Sequence, residues 1–330
     1  MSRKLITIST IMTLMSTSVI ADVPNVAADI APIHSLVSRV MDGVGAPKLI
    51  VQSGASPHGY RLRPSEAKAL QDADHVFWMG EELTPWLDSA IGTLASKASV
   101  TTLLDQQGVI LHDFREGALF EAHDHSAHGD DDHDDHDDHD DHDDHKDHDD
   151  HDDHDDHDDH GSHDPHAWLS PENAKLWLNI IASKLSVSDP ENAATYFMNA
   201  AAGQAEIEAM IAEVSATLKP VQGGKFVVFH DAYQYFENDF DFYASGAISL
   251  SDSSDPSPAR IEKVQKRIRD EGIQCVLAEP QFKKGLVATV MEGSDATASV
   301  IDPLGAELET GPKLYTRLIK NMAKTLRNCL

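Results

Sequence analysis

Apolar positions along the chain fall into two kinds of block. Short apolar runs bounded by Gly, Pro, Asp or Asn read as strands. In the first half these are VPNVAA (residues 23–28), KLIVQS (48–53) and DHVFWMG (74–80); in the second they are KFVVFH (225–230), CVLAEP (275–280) and ASVIDP (298–303). Stretches with apolar residues every third or fourth position predict amphipathic helices beside them. These are APIHSLVSRVMDG (31–43), RPSEAKALQDA (63–73) with Pro64 and Ser65 at its start, SPARIEKVQKRIRDEG (257–272) closed by Gly272, and KLYTRLIKNMAKTLRNCL (313–330). The alternation predicts two α/β domains with parallel or mostly parallel sheets. Between them, residues 189–220 open with Asp189 and Pro190, end at Pro220, and are rich in Ala, Glu, Met and Leu. As one helix this segment would span about 45 Å at roughly 1.5 Å per residue. It joins a domain at 22–188 to one at 221–330, and permits less hinge bending than two or three flexible strands would.

Residues 131–160, DDHDDHDDHDDHDDHKDHDDHDDHDDHDDH, fit neither pattern. Between His123 and Asp164 the chain holds 14 His, 22 Asp and Lys146 in 42 residues, and no aliphatic side chain larger than alanine. Burial cannot offset the ordering entropy of such a segment, so residues 122–164 are expected to form a disordered, solvated loop. An inert acidic spacer is one reading. Imidazole at every third residue adds little to solubility, however, and alternation with carboxylates suits a weak, multivalent site for a borderline divalent cation. Its ligands would be His133, His136, His139, His142, His145, His148, His151, His154, His157 and His160. The Asp residues and Lys146 of the tract supply −21 of the net charge of −30, leaving −9 for the rest. An acidic balance of this kind repels phosphate backbones and argues against nucleic acid as a partner.

At the amino end, Arg3 and Lys4 precede an apolar run over residues 5–19, followed by small residues and VIA before Asp22. This predicts a secretory signal peptide cleaved after Ala21. The run is shorter than the roughly 20 apolar residues of a spanning helix, and no cysteine stands at the cleavage site to carry a lipid. The expected product is a soluble, exported, periplasmic monomer. Its two cysteines, Cys275 and Cys329, are expected to pair under oxidising conditions. Chain-entropy arithmetic values such a crosslink at roughly 4 kcal/mol.

Three histidines share one structural context. His58 (SGASPHGYRLRPSE) follows the second strand, His166 (DPHAWLSPENAKLW) stands before a helix opened by Ser170 and Pro171, and His230 (KFVVFHDAYQYF) ends an apolar strand. Asp302 (SVIDPLG) has the same placement after a strand. Ligands of open α/β sheets bind outside the carboxyl ends of the strands, where such residues converge. A lone histidine after a strand is more often a surface or hydrogen-bonded residue, but the three occur together with a His-rich tract. Three imidazoles with Asp302 or a water complete a four-coordinate zinc shell. His34, His75 and His112 lack this context and read as structural. Imidazoles favour Zn²⁺ over Mn²⁺ without excluding Cu²⁺. No HExxH motif occurs, and no general base stands beside these histidines, which argues against a zinc hydrolase.

The ordered set GASPHGYRLRPSEAKALQDADHVFWMGEEL, DPHAWLSP, VVFHDAYQYFE, AEPQF and DPLG, with a His/Asp tract between the first two, resembles the ZnuA-type zinc-binding proteins of ABC importers over nearly the whole chain. The resemblance implies two α/β domains joined by one long rigid helix, with zinc in the interdomain cleft. It implies His58, His166 and His230 as ligands and a Cys275–Cys329 disulfide in the C-terminal domain. Some members place a glutamate immediately before the first ligand histidine; this chain has Pro57 there. Asp302 matches a carboxylate position used in related manganese and zinc binders, and Glu279 in AEPQF reads as supporting or structural. The implied function is capture of Zn²⁺, with no catalysis, and its delivery to a membrane permease. A zinc buffer or chaperone working without a permease shares the same site and stays open as the alternative.

Overall fold

The computed structural model describes residues 23–115, 120, 163–249, 256–281 and 284–330. The expected leader and nearly all of the His/Asp tract lie outside them.

The first half builds β1 (Val26–Ala28), α1 (Ala31–Val40), β2 (Lys48–Leu49), α2 (Pro64–Gln71), β3 (His75–Trp78), α3 (Pro85–Leu94) and β4 (Ser99–Thr102). A short 3-10 turn, Ala167–Leu169, then leads into α4 (Pro171–Ser188) and α5 (Ala193–Leu218). The second half builds β5 (Phe226–His230), α6 (Gln234–Phe240), β6 (Ala247–Ser249), α7 (Pro258–Glu271), β7 (Cys275–Ala278), α8 (Lys284–Val290), β8 (Thr297–Val300) and α9 (Leu314–Cys329). Each half contributes one four-stranded sheet, ordered β2-β1-β3-β4 and β6-β5-β7-β8. Every strand pair is parallel, as expected for short apolar strands separated by helices. The two sheets thus repeat one winding order.

Alternation along the strands divides the apolar residues among three clusters. Val26, Ala28 and Phe77 from the first sheet and Phe226, Val228, Cys275 and Leu277 from the second join a single central core with the buried faces of α1, α4, α5 and α9. The opposite strand faces pack outward: Ala27, Val76 and Trp78 against α2 and α3, and Val227, Phe229 and Val276 against α7 and α8.

The connecting helix α5 is shorter than the sequence pattern suggests. Its α-helical part has 26 residues, about 39 Å at 1.5 Å per residue, and 3-10 turns at Pro190–Asn192 and Lys219–Val221 occupy its expected ends. Pro220, in the second turn, cannot donate the backbone hydrogen bond an α-helix requires there, whereas Pro190 opens the first turn at a position that needs no donor. Asp189 seals the front end, accepting from Asn192 Nδ2 (2.8 Å) and the Tyr196 hydroxyl (2.7 Å). Along α5, Tyr196, Ala200, Gly203, Ile207, Met210, Val214 and Leu218 are buried, a stripe that commits the helix to the central core over its full length.

Cys275 and Cys329 form a disulfide across 54 positions of sequence, tying β7 to the end of α9. Among the described residues, no helix is long and apolar enough to cross a membrane.

Glycine in a helix interior costs about 1 kcal/mol relative to alanine, and Gly203 has a packing reason to be there. A Cβ at this position would lie 2.9 Å from Leu178 Cδ1 and 3.1 Å from Arg39 Cγ, because α1 and α4 both press on α5. Gly203→Val is therefore expected to lose about 1–3 kcal/mol of stability by overpacking, read as a lower urea midpoint with an unchanged slope.

Candidate metal centre

Strand β5 is buried at every residue and delivers His230 to its carboxyl end. Its neighbour β7 ends at Ala278, and Glu279 follows. Between β5 and β7 the chain first goes to the far side of β5, so a crevice opens where these two strand ends diverge. Across it, His230 Nδ1 lies 2.5 Å from Glu279 Oε1, both groups being almost fully buried. Gln281 Nε2 donates to the other Glu279 oxygen at 2.8 Å. A carboxylate can only accept, so the Nδ1 proton is fixed and the Nε2 lone pair faces the crevice.

His166 is prepared in the same way by its own segment. Asp164 Oδ1 accepts from the His166 backbone amide at 3.0 Å and pairs with its Nδ1 at 2.6 Å. This turn belongs in sequence to the first half but is bonded to the second. The Tyr235 hydroxyl donates to Asp164 O (2.7 Å), Trp168 Nε1 to Pro303 O (2.8 Å), and the Tyr315 hydroxyl to Trp168 O (3.0 Å). Burial pushes the Asp164 carboxyl up to about 6 against the opposing pull of the His166 amide and Arg115.

His58 arrives from the first sheet, on the loop between β2 and α2. Trp86 Nε1 holds the loop through Pro57 O at 2.7 Å, and the Tyr60 hydroxyl anchors its far side on Glu66 at 2.7 Å. Glu66 also accepts from the Arg63 amide at 2.7 Å, closing the start of α2. His58 is half-exposed, whereas His166 and His230 are buried.

The three imidazoles meet. Ring centroids lie 5.5 Å apart for His58–His166 and 5.2 Å for His166–His230, and one ligand nitrogen from each lies within 4.8 Å of the others. The His166 and His230 Nε2 atoms are 3.4 Å apart. A tetrahedral ion with Zn–N near 2.0–2.1 Å separates its ligand nitrogens by roughly 3.3–3.4 Å. Among the described residues this is the one group of three or more His, Cys, Asp or Glu side chains so placed.

Asp302 is not in that group. Its Oδ1 accepts from the amides of Leu304 (3.0 Å) and Gly305 (2.8 Å), and its Oδ2 from Ala306 (2.6 Å). The carboxylate thus closes the turn after β8, in which Gly305 takes φ +75°. The remaining described histidines have structural partners. His34 bonds Pro47 O at 3.1 Å, His75 bonds Ser188 Oγ at 2.6 Å, and the His112 ring lies tilted against Tyr235 with centroids 4.6 Å apart. His163 pairs with Asp113 at 2.9 Å. The ten tract histidines from His133 to His160 lie outside the described residues. Asp164, Asp231 and Arg115 surround the imidazoles without having stood out in the sequence. The available signal for the first two was a carboxylate one or two residues from a candidate ligand histidine; for Arg115 there was none.

Residues 26–329 match the family model ZnuA, described as the periplasmic component A of a zinc-uptake complex. The chain belongs to the ZnuA family. It is 49% identical over 305 residues to the high-affinity zinc uptake system protein ZnuA of Brucella abortus (strain 2308), covering 92% of this chain and 91% of that one. The protein of that name from Paracoccus denitrificans (strain Pd 1222) is 45% identical over 311 residues, covering 94% and 93%. Among solved structures, a crystal structure of ZnuA superimposes with a TM-score of 0.70 at 20% identity, covering 93% of this chain and 99% of that one. The laminin-binding protein Lmb of Streptococcus agalactiae, a bifunctional protein with adhesin and metal-transporting activity, gives 0.69 at 20% identity and the same coverage. At such identity these structures establish the shared fold.

The carboxylates that orient His166 and His230 bear on how well these imidazoles can hold a metal. Glu279→Gln preserves size but removes the charge that fixes the His230 tautomer. It is expected to weaken zinc binding by roughly 10–100-fold with one-to-one stoichiometry retained, as read by competition with a chromophoric chelator.

Proposed function

We propose that the protein captures Zn²⁺ in the crevice between its two sheets, with His58, His166 and His230 as ligands, and delivers the ion to the membrane permease of an ABC importer. It is a binding protein of a transport system, not an enzyme. The single observation that carries the zinc reading is the 3.4 Å spacing of two carboxylate-oriented imidazole nitrogens, with a third imidazole in reach. The family description and the names of the Brucella and Paracoccus relatives support uptake as the purpose. Both Asp302 oxygens already serve backbone amides, so water is the better fourth ligand. The family description supports a periplasmic protein, and the charged, apolar and small-residue order of residues 1–21 supports export with cleavage after Ala21.

The His/Asp tract is the accessory part of this proposal. Histidines spaced by two aspartates can reach one ion, but each closure costs loop entropy, so any tract site is much weaker than the crevice. Many tethered weak sites recapture a released ion at high local concentration. A tract of that kind acts as a collector that feeds the crevice, or a sensor that reports to it, when zinc is scarce.

His58→Ala, His166→Ala and His230→Ala are each expected to abolish tight one-to-one zinc binding in calorimetric or chelator titrations, while Asp302→Ala acts mainly on stability. Unchanged affinity in any two of the histidine variants sinks the site assignment. Removing residues 123–163 is expected to leave one tight site, remove the weaker ones, and slow zinc acquisition only at limiting zinc. If ion count and uptake are both unchanged, the tract is a spacer.

A further inference from the structure

Next to the three imidazoles lies a buried ion triad that the zinc-binding role does not by itself require. Arg115 Nε is 3.0 Å from both carboxylate oxygens of Asp231, Arg115 Nη1 is 2.6 Å from Glu237 Oε2, and Arg115 Nη2 bonds both partners. Side-chain exposure is 16% for Arg115, 7% for Asp231 and 1% for Glu237. Three charges this deep carry a desolvation penalty that their attraction repays only with good geometry. Hydrophobic residues would fill the space without that penalty, so the triad calls for another reason.

Its placement supplies one. Asp231 directly follows His230, and Glu237 lies on α6 behind it. Arg115 comes from the segment that runs beside the His166 turn, where Asp113 bridges to His163 and Asp164 N donates to His112 O at 2.8 Å. One guanidinium therefore ties the strand end bearing one imidazole to the segment bearing the other, although the two histidines are 64 residues apart. It also occupies both oxygens of a carboxylate adjacent to His230. Carboxylates are the ligands that favour hard ions such as Mn²⁺, whereas imidazoles suit Zn²⁺. Held by Arg115, Asp231 stays out of the three-imidazole group.

We propose that Arg115 is a positioning residue that sets the metal preference of the centre. It fixes the spacing of His166 and His230 and restrains the Asp231 carboxylate, so that the ion meets imidazoles rather than an added carboxylate. This rests on the ligand assignment made under the proposed function. Without the guanidinium, Asp231 and Glu237 lose the cation that bonds them both, and a metal ion held by the adjacent His230 becomes a competing partner for the Asp231 carboxylate.

The test uses the purified full chain in four forms: wild type, Arg115→Gln, Arg115→Lys, and Arg115→Gln combined with Asp231→Asn. Zn²⁺ and Mn²⁺ affinities are measured by chelator competition, the visible spectrum is recorded with Co²⁺ as probe, and the metal-free melting temperature is followed separately. Arg115→Gln is expected to weaken zinc binding about tenfold or more. It should also raise the Mn²⁺-to-Zn²⁺ affinity ratio and lower the Co²⁺ absorption as coordination number increases. Arg115→Lys keeps the charge but cannot span both carboxylates, and should fall between. Adding Asp231→Asn should return the ratio toward the wild-type value, because the competing carboxylate is gone. A lower melting temperature with a wild-type metal ratio and Co²⁺ spectrum overturns the proposal and leaves a purely structural latch. Should Arg115→Gln not fold, a wild-type ratio and spectrum in Arg115→Lys overturns it equally. Retention of tight zinc binding by His166→Ala would instead strike the ligand assignment, so the two failures are distinct.

Discussion

The burial of one face of α5 against α1, α4 and α9, inside the cluster that both sheets join, is the contact on which the rest of the molecule depends. A helix committed to the core from Tyr196 to Leu218 cannot bend without opening the central cluster that both sheets share. The strand ends of the two halves are consequently held at a set distance. The crevice is a product of that spacing, because its imidazoles come from opposite sides: His58 from a loop anchored on α2 and α3, and His230 from the second sheet. A molecule built this way has little access to the wide domain closure of hinged binding proteins. Exchange of an ion must draw on smaller movements, and the half-exposed His58 loop is the least encumbered of the three supports.

Within the crevice, proton placement and charge reinforce each other. Asp164 and Glu279 each accept a hydrogen bond from an Nδ1–H, which leaves Nε2 of His166 and His230 as the available lone pairs. These carboxylates, with Asp231 and Glu237, form a buried acidic neighbourhood in which Arg115 is the paired cation. A divalent ion entering such a place gains Coulomb energy at low effective dielectric that it would not gain at the surface. Under the proposed function, the desolvation the carboxylates incur on folding is partly recovered when the ion binds.

Much of this was legible in the sequence, for identifiable reasons. Strands β5 and β7 are uninterrupted apolar runs because both of their faces are covered. Helix α7 announces both ends: the Ser257 hydroxyl accepts from the Arg260 amide at 3.3 Å, and Gly272 takes a left-handed conformation at φ +65°. The three histidines could be picked out because strand ends in parallel sheets face one side. Strands β4 and β6 were missed, being short edge strands without a recognisable run. So was α6, only seven residues long and ended by Asp241 in a left-handed conformation that usually calls for glycine. Asp302, offered with water as the fourth ligand, accepts from three backbone amides. A carboxylate after a strand looks the same in sequence whether it faces an ion or such amides. Arg115 was invisible because its partners lie 116 and 122 positions away, and no local pattern encodes such a distance.

The bridge between Asp113 and His163 also bears on how the chain can change over time. It pins together the two points between which the repeated DDH triplets are inserted, and it does so within the fold's own hydrogen bonding. The entropic cost of closing a flexible insert grows only with the logarithm of its length, about 0.6 kcal/mol per doubling. On that scaling a change in the number of residues between these two points costs folding little, while His166, just beyond His163, keeps its bonds to Asp164.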